Sequence, residues 1–426
     1  MSRFNKKTSR RAFLSGVSAL AASAVVGAAF AQEQDNIIGE ILRSPKTGNW
    51  DDQFDAQVSA RGSEKVSTTT PIFSPETINY TEQAINNYSG IVQQGGWPRV
   101  PDTKKLKLGV NDADVQALRQ RLIVSGDLSA DAGVSSEFDT YVDAALKRFQ
   151  TRHGLPADGT TGQYTFAAMN ISAPIRLGQL QTNLERLRNT PDLGARYVLV
   201  NIPAAQIEAV ENGRVVLRHT AIVGKIDRQT PIVNSKINEI ILNPYWTAPE
   251  SIIRKDIIPL MRKDPEYLTK NGIRIFGPDG SEIPPTAIDW NTEDAAKYRL
   301  RQDPSKINAM ASVKINFPSP DGVYMHDTPS QGLFNKLMRF DSSGCVRVQN
   351  VRDLVTWILK NTPGWDRRHI EEVIKQGENN PINVADPVPV HFNYVSAWST
   401  GNGVTQFRDD IYARDGVDEL KITSAL

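Results

Sequence analysis

A chain of 426 residues is too long for one ordinary domain and has room for two or three, each burying a core of its own. Its 49 Lys and Arg nearly cancel its 48 Asp and Glu, so the net charge of +1 supplies no field to gather nucleic acid, which is not an expected partner. The single cysteine, Cys345, excludes an internal disulfide.

In chain order, Arg10-Arg11-Ala12-Phe13-Leu14 precedes a small, apolar run from Gly16 to Phe30 that ends in Ala29-Phe30-Ala31. This pattern predicts a twin-arginine signal peptide over 1–31, cleaved after Ala31, and therefore a periplasmic protein. The run is rich in Ala, Ser and Gly rather than Leu, and no later stretch has about 18 consecutive apolar residues, so no stable membrane span is expected after cleavage. Residues 32–105 read as a polar, partly extended segment that packs on a later domain.

From 106 to 190 the periodicity is helical. Asn111 or Asp112 is placed to cap a helix carrying Val115, Leu118 and Leu122, and Val142, Ala145, Leu146 and Phe149 mark a second. Asp158-Gly159 then turns the chain into a third, near Gly162 to Met169, and Gln179 to Arg188 reads as a connecting helix. The strings Val115-Gln116-Ala117-Leu118, Phe149-Gln150 and His153-Gly154-Leu155-Pro156-Ala157-Asp158-Gly159 resemble the small three-helix peptidoglycan-binding domain of cell-wall enzymes. The stretch from Asp127 to Asp139 is an insertion relative to the short form.

After Pro191 the period falls to two, with runs such as Tyr197-Val198-Leu199-Val200 and Thr220-Ala221-Ile222-Val223 and a hairpin glycine, Gly213. A mostly β domain is expected over 191–380, interrupted at 249–308 by a helical insertion carrying Ile252, Ile253, Ile257 and Met261. Segments of that size beside a site often act as a lid. Asn350 is placed to cap a further helix, and 381–426 is expected to hold C-terminal strands and a tail. The fold class is thus multidomain α+β.

The chemistry concentrates in Val323-Tyr324-Met325-His326-Asp327-Thr328-Pro329 and Ser342-Ser343-Gly344-Cys345-Val346-Arg347-Val348. A thiol attacks an amide as thiolate, and a nearby imidazole is the usual means of keeping it so. Of the five histidines, His326 alone has suitable company, because His153 belongs to the helical module, His369 to a charged loop, and His219 and His391 flank strands. Ser343-Gly344 allows a tight bend that points the amides of Gly344 and Cys345 at one spot. If the chain after Cys345 is extended, Arg347 shares its face, either as an anchor for a substrate carboxylate or as half of a structural ion pair. No His/Asp or Cys/His cluster has zinc spacing, and neither metal nor cofactor is expected.

His326, a spacer of 15 residues, then Ser342-Ser343-Gly344-Cys345-Val346-Arg347 resembles the catalytic motif of the YkuD-type L,D-transpeptidases. Many members have His where this chain has Ser343. The Ser-Ser-Gly-Cys form, the string Asn243-Pro244-Tyr245-Trp246, the insertion and the upstream module resemble the larger YcbB-like branch. The resemblance implies Cys345 as acyl carrier, His326 as proton shuttle and the main-chain carbonyl of Asp327 as its orienting group. It implies Tyr324 with the amides of Gly344 and Cys345 as oxyanion hole. Arg347, Ser342, Ser343, Trp246, Tyr245 and Asn243 are implied to bind substrate.

The implied donor is a peptidoglycan tetrapeptide stem, the implied product a 3-3 cross-link, and the implied inhibitors carbapenem-type β-lactams. L,D-carboxypeptidase trimming and lipoprotein attachment share the same acyl-enzyme and stay open, as does a non-catalytic wall-binding role. A sortase would carry a Thr-rich strand before its cysteine, and a papain-like peptidase would place Cys before His.

Overall fold

The computed structural model describes residues 68–417. The twin-arginine leader, its cleavage point and the part of the polar segment before residue 68 lie outside the described residues. Within the rest of that segment, Pro75–Gln93 form a helix, α1, where extended chain was expected. Ser74 caps it by accepting from the Thr77 N–H, and Pro75 takes a first-turn position that needs no donor. Its buried stripe is Thr77, Thr81, Ala84 and Tyr88, so half of the inward face reads as polar in the sequence. Both threonines satisfy their hydroxyls within the segment, on the carbonyls of Pro71 and Thr77.

The three expected helices are α2 (Ala113–Val124), α3 (Thr140–Arg152) and α4 (Gln163–Asn170), capped by Asp112, Asp139 and Gly162. Val115, Leu118, Leu122, Val142, Leu146, Phe149 and Met169 fill their common core. The inserted stretch is closed by the buried Arg119 guanidinium, which donates to the carbonyls of Ala132 and Glu137 and pairs with Asp139.

Next comes α5 (Ala173–Arg188), more than a connector, since Gln179 and Asn183 both donate to Ser396 Oγ. Arg121 lies 3.8 Å over the Trp97 ring and Arg176 4.6 Å over Phe407, while His153 stacks between Phe149 and Phe407. Arg152 grips Asp127 with two bonds, at 2.7 and 2.5 Å, and donates to the Thr405 carbonyl. Buried aromatic faces thus accept the guanidinium planes where no second carboxylate is supplied.

The β domain is built from β1 (Arg196–Asn201), β2 (Gln206–Glu211), β3 (Arg214–Gly224), β4 (Val233–Leu242), then, beyond the insertion, β9 (Val313–Asn316), β10 (Met325–His326), β11 (Phe340–Ser342), β12 (Val346–Val348) and β13 (Asn380–Asn393). Their order is β11-β3-β12-β10-β9-β4-β13-β1-β2, and the pairing of β2 with β3 closes the ring. Ile240, Ile315, Met325, Val346, Val348, Val390 and Phe392 share one core with Leu354, Val355 and Ile358 of α9 (Val351–Ile358) and Ile370, Val373 and Ile374 of α10 (Arg367–Gln376). Asn350 begins α9 in a left-handed conformation, without a side-chain cap bond.

Three expectations change. The insertion holds β5 (Trp246–Thr247), helical turns α6 (Glu250–Ile252), α7 (Ile258–Lys263) and α8 (Tyr267–Lys270), and also β6 (Ile273–Phe276), β7 (Glu282–Ile283) and β8 (Arg299–Gln302), so the cap is mixed rather than purely helical. Its strands pair β5-β8-β6-β7. They are short and charge-rich, which hides them from hydrophobic patterning. The boundary expected at 380/381 falls inside β13, which lies in mid-sheet between β4 and β1. Of the tail strands that could complete the sheet, Val388 to Ala397 and Val404 to Ile411, the first does so through β13 as far as Asn393, while β14 (Ala397–Thr400) and β15 (Val404–Phe407) form a separate hairpin.

The cap has its own core of Trp246, Ile253, Ile257, Met261, Leu268, Ile275 and Leu300. Both of its ends are stapled by the buried Asn308, whose amide donates to the carbonyls of Pro244, Gln302 and Asp303.

Among the described residues no helix is long and apolar enough to cross a membrane. Because Asp127 is the carboxylate held by buried Arg152, Asp127→Ala should destabilise the helical module by about 3–5 kcal/mol, read as a lower urea midpoint.

Candidate active site

The site is assembled by strand register. β10 pairs with β12 in parallel, setting Met325 against Val346 and His326 against Arg347, and with β9 antiparallel, setting Met325 against Ile315 and His326 against Lys314. Met325, Ile315 and Val346 turn into the core, so alternation leaves Lys314, His326 and Arg347 as a row on the opposite face. Tyr324 joins that face: its ring lies 5.6 Å from the His326 ring, edge to face, and 4.3 Å from the Lys314 ammonium. Cys345 directly precedes β12, and the Val346 N–H donates to the Tyr324 carbonyl at 3.1 Å.

His326 is buried, and its Nδ1 lies 2.5 Å from the Asp327 carbonyl oxygen. A carbonyl only accepts, so Nδ1 carries the proton and Nε2 keeps its lone pair. Burial, then the charge of Arg347, pushes the imidazole down to about 3, which keeps it neutral throughout the physiological range. The Asp327 carboxylate is not turned on the histidine. It accepts from the Ser312 hydroxyl at 2.6 Å and amide at 3.2 Å, and from the Thr328 amide at 2.8 Å. Burial raises its pKa against these bonds. Asp327 thus fixes the β9–β10 corner with its side chain and the imidazole with its main chain.

The thiol keeps a face to solvent but is set in dense surroundings. Burial pushes it up, opposed by the backbone N–H of Tyr324, the Lys314 ammonium, the Tyr324 hydroxyl and Arg347. With His326 neutral, the resting pair is thiol and imidazole, not the thiolate expected from the sequence. Tyr324 is tied to both layers: burial, then the neighbouring Cys345, raises its hydroxyl well above 10, and its side chain packs against the cap core that holds Trp246.

The nucleophile loop is held from beneath. Gly344 has φ +113°, a conformation that side chains rarely adopt, while its surroundings leave room for a Cβ; the demand is on the backbone. The Ser342 hydroxyl donates to the Cys345 carbonyl at 2.5 Å and accepts from the Gly344 amide at 3.2 Å. The Gly344 carbonyl takes the Thr230 hydroxyl at 2.8 Å, and the same hydroxyl accepts from the Gly224 amide. Tyr412, from the tail beyond β15, donates to the Gly224 carbonyl at 2.6 Å and accepts from the Thr230 amide. Arg228 reaches Ser343 Oγ at 3.0 Å while gripping Asp256 at 2.6 and 3.0 Å. Asp256 lies in a π-helical turn, Ile253–Ile257, of the cap, so one bidentate pair joins cap and nucleophile loop.

The expected residues therefore divide. Cys345, His326, Asp327, Tyr324, Gly344, Arg347 and Ser343 come together. Ser342 is buried and spent on the loop, and the Gly344 amide is spent on Ser342, leaving the Cys345 amide as the main-chain donor of the pair. Asn243 is buried at the end of β4, donating to the carbonyls of Val373 and Glu378. Trp246 belongs to the cap core and touches the site through Tyr324, whereas Tyr245 is 45% exposed beneath the Arg301 guanidinium. Lys314, Thr230, Arg228, Asp256 and Tyr412 escape sequence reasoning. Lys314 alone left a signal, as the charged position in the alternating run Val313-Lys314-Ile315-Asn316-Phe317.

Residues 195–389 match the family model YkuD, described as "L,D-transpeptidase catalytic domain", and residues 111–169 match "Putative peptidoglycan binding domain". The chain carries a YkuD-type L,D-transpeptidase catalytic domain behind a peptidoglycan-binding domain. It is 35% identical over 238 residues to a "Putative L,D-transpeptidase" of Haemophilus influenzae, an alignment covering 56% of this chain and 48% of that protein. The chain thus spans about half the length of this relative. Among solved structures it is similar to an L,D-transpeptidase from Stackebrandtia nassauensis (14% identity, TM-score 0.25, 70% of this chain and 97% of that one). Another, from Xylanimonas cellulosilytica, has 17% identity and TM-score 0.21, covering 69% of this chain and 99% of that one.

The electrostatics of this L,D-transpeptidase domain make a direct pH prediction. Since burial raises the Cys345 thiol, its alkylation by neutral iodoacetamide should be slow at neutral pH and climb only through a midpoint above the ordinary 9.0. With the imidazole near 3, no inflection should appear around 6.5. An early midpoint with a plateau at neutral pH would mean a resting thiolate.

Proposed function

We propose that this chain is a periplasmic L,D-transpeptidase that forms 3-3 peptidoglycan cross-links through a Cys345 acyl-enzyme. The observation carrying this reading is His326, held by the Asp327 carbonyl with Nε2 unprotonated, on the strand that pairs with the one following Cys345. Sulfur attacks the carbonyl carbon between the L-centre of the third stem residue and terminal D-Ala as its proton passes to His326 Nε2. The Cys345 amide and Tyr324 hydroxyl face the developing oxyanion. When the C–N bond breaks, His326 returns the proton to the departing amine, leaving a thioester. A side-chain amine of a second stem then attacks, the thiol leaves, and the proton balance is restored through His326.

A neutral resting pair suits this sequence, since charge appears only as the bond forms. The cap, pinned through Tyr324 and Arg228–Asp256, favours the amine over water by covering the thioester. The N-terminal pattern supports export by the twin-arginine route with cleavage after Ala31. Peptidoglycan stems and glycan are the proposed partners, and carbapenem-type β-lactams would acylate the same sulfur by ring opening. Carboxypeptidase trimming and lipoprotein attachment use the same acyl-enzyme and differ in the acceptor.

Purified mature chain given a disaccharide tetrapeptide should yield a cross-linked dimer and free D-Ala by mass analysis. Tripeptide monomer as the sole product would instead indicate trimming. Cys345→Ala should abolish both products and keep the fold, because removing one sulfur atom from a partly buried position beside the core leaves only a small gap. His326→Ala should lower the rate on the order of a hundredfold or more. Full activity in either variant would overturn the assignment.

A further inference from the structure

We propose that Lys314 forms a carboxylate-binding subsite that recognises the free terminal carboxylate of the residue released from the donor. This deepens the acyl-transfer reading above and rests on it.

Lys314 is half-buried on β9, in register with His326, and its ammonium lies 4.3 Å above the Tyr324 ring beside Cys345. It forms no ion pair or hydrogen bond with any described residue. The Glu239 carboxylate is the acidic group whose charge acts on it, and no ion pair joins the two. Glu239 of β4 instead accepts the Asn316 amide at 2.6 Å. Loss of water around the ammonium is the largest influence on it and lowers its pKa. A half-buried cation that sits on an aromatic face without an ion pair binds an anion that arrives with substrate more strongly than a fully solvated lysine would.

The order of groups across the sheet says which anion. Cys345 borders β12, His326 stands on the adjacent β10, and Lys314 on β9 beyond it. In the donor, the attacked carbonyl carbon, the departing nitrogen and the terminal carboxylate follow in the same order, separated by one nitrogen and one α-carbon. With the carbonyl over sulfur and the nitrogen at His326 Nε2, the carboxylate falls on the Lys314 side. The lysine stem crosses the spacing of neighbouring strands, about 4.8 Å, to bring its ammonium back over Tyr324. The subsite therefore selects a cleavable residue at the end of the stem, and rejects one that is amidated or extended.

The test compares wild type with Lys314→Met and Lys314→Arg on two donors, the tetrapeptide stem with a free D-Ala carboxylate and the same stem as its terminal carboxamide. Wild type should prefer the acid at least tenfold in kcat/KM, Lys314→Met should bring the ratio near one, and Lys314→Arg should restore part of it. A second arm measures acylation of Cys345, by intact-protein mass, with a carbapenem and with the methyl ester of its carboxylate. It should show the same collapse, and it still decides the matter if no stem peptide is turned over, an outcome that would sink the proposed function alone. A wild type without preference for the acid overturns the proposal. So does a tenfold preference retained in Lys314→Met. Equal slowing of acid and neutral partners, with the iodoacetamide midpoint moved upward, also overturns it and makes Lys314 a counter-charge for the thiol.

Discussion

The pairing of two very short strands carries the site. β10 and β12 meet over Met325–Val346 and His326–Arg347, and this register sets the imidazole beside the segment that follows the thiol. A slip of one residue would send His326 into the core and Met325 out, because side chains alternate strictly along a strand. Register is accordingly held from several directions. The Asp327 carboxylate locks the β10 end to Ser312, Val346 bonds to Tyr324, and the Ser342 and Thr230 hydroxyls fix the carbonyls of Cys345 and Gly344. Such polar bonds around a two-residue strand do what length does elsewhere in the sheet.

Burial then decides the charge states. Cys345, His326 and Lys314 are each pushed toward their neutral forms, the thiol upward and the two bases downward. These three groups do not pair as ions at rest, and charge separation among them is deferred to the moment of attack. Arg347 stands beside them, and its positive charge is one cause of the low imidazole value.

Much of this was legible in the sequence where spacing and residue type speak together. Cys345, His326 and Arg347 stand out by type and proximity, and the three helices of the small module by strong apolar periodicity. What escaped is what depends on register or on polar residues turned inward. The stripe of α1 is half threonine, and the cap strands are too short and charged to show a pattern. Lys314 becomes part of the site only once β9 is aligned with β10. Asn243 and Ser342 looked like contacts for substrate, yet each is consumed in bonding the scaffold, because a buried amide or hydroxyl must find partners. Arg228 and Asp256 lie 28 residues apart in different elements, and no local pattern announces their meeting.

The stack of arginines and rings between the helical module and the β14–β15 hairpin has a bearing on how the two parts of the chain can move. Arg152 reaches the Thr405 carbonyl, Gly154 lacks the Cβ that would collide with Arg408 at 2.9 Å, and Gln179 ties α5 to Ser396. A module mounted this way is a bracket and not a tether. The volume its neighbour samples is no longer set by linker length, and the local concentration of reactive groups becomes a fixed property of geometry. A ligand held by this module would meet Cys345 at one distance and one angle, so the spacing of reactive points along it, rather than diffusion of a loose arm, would decide which of them can react.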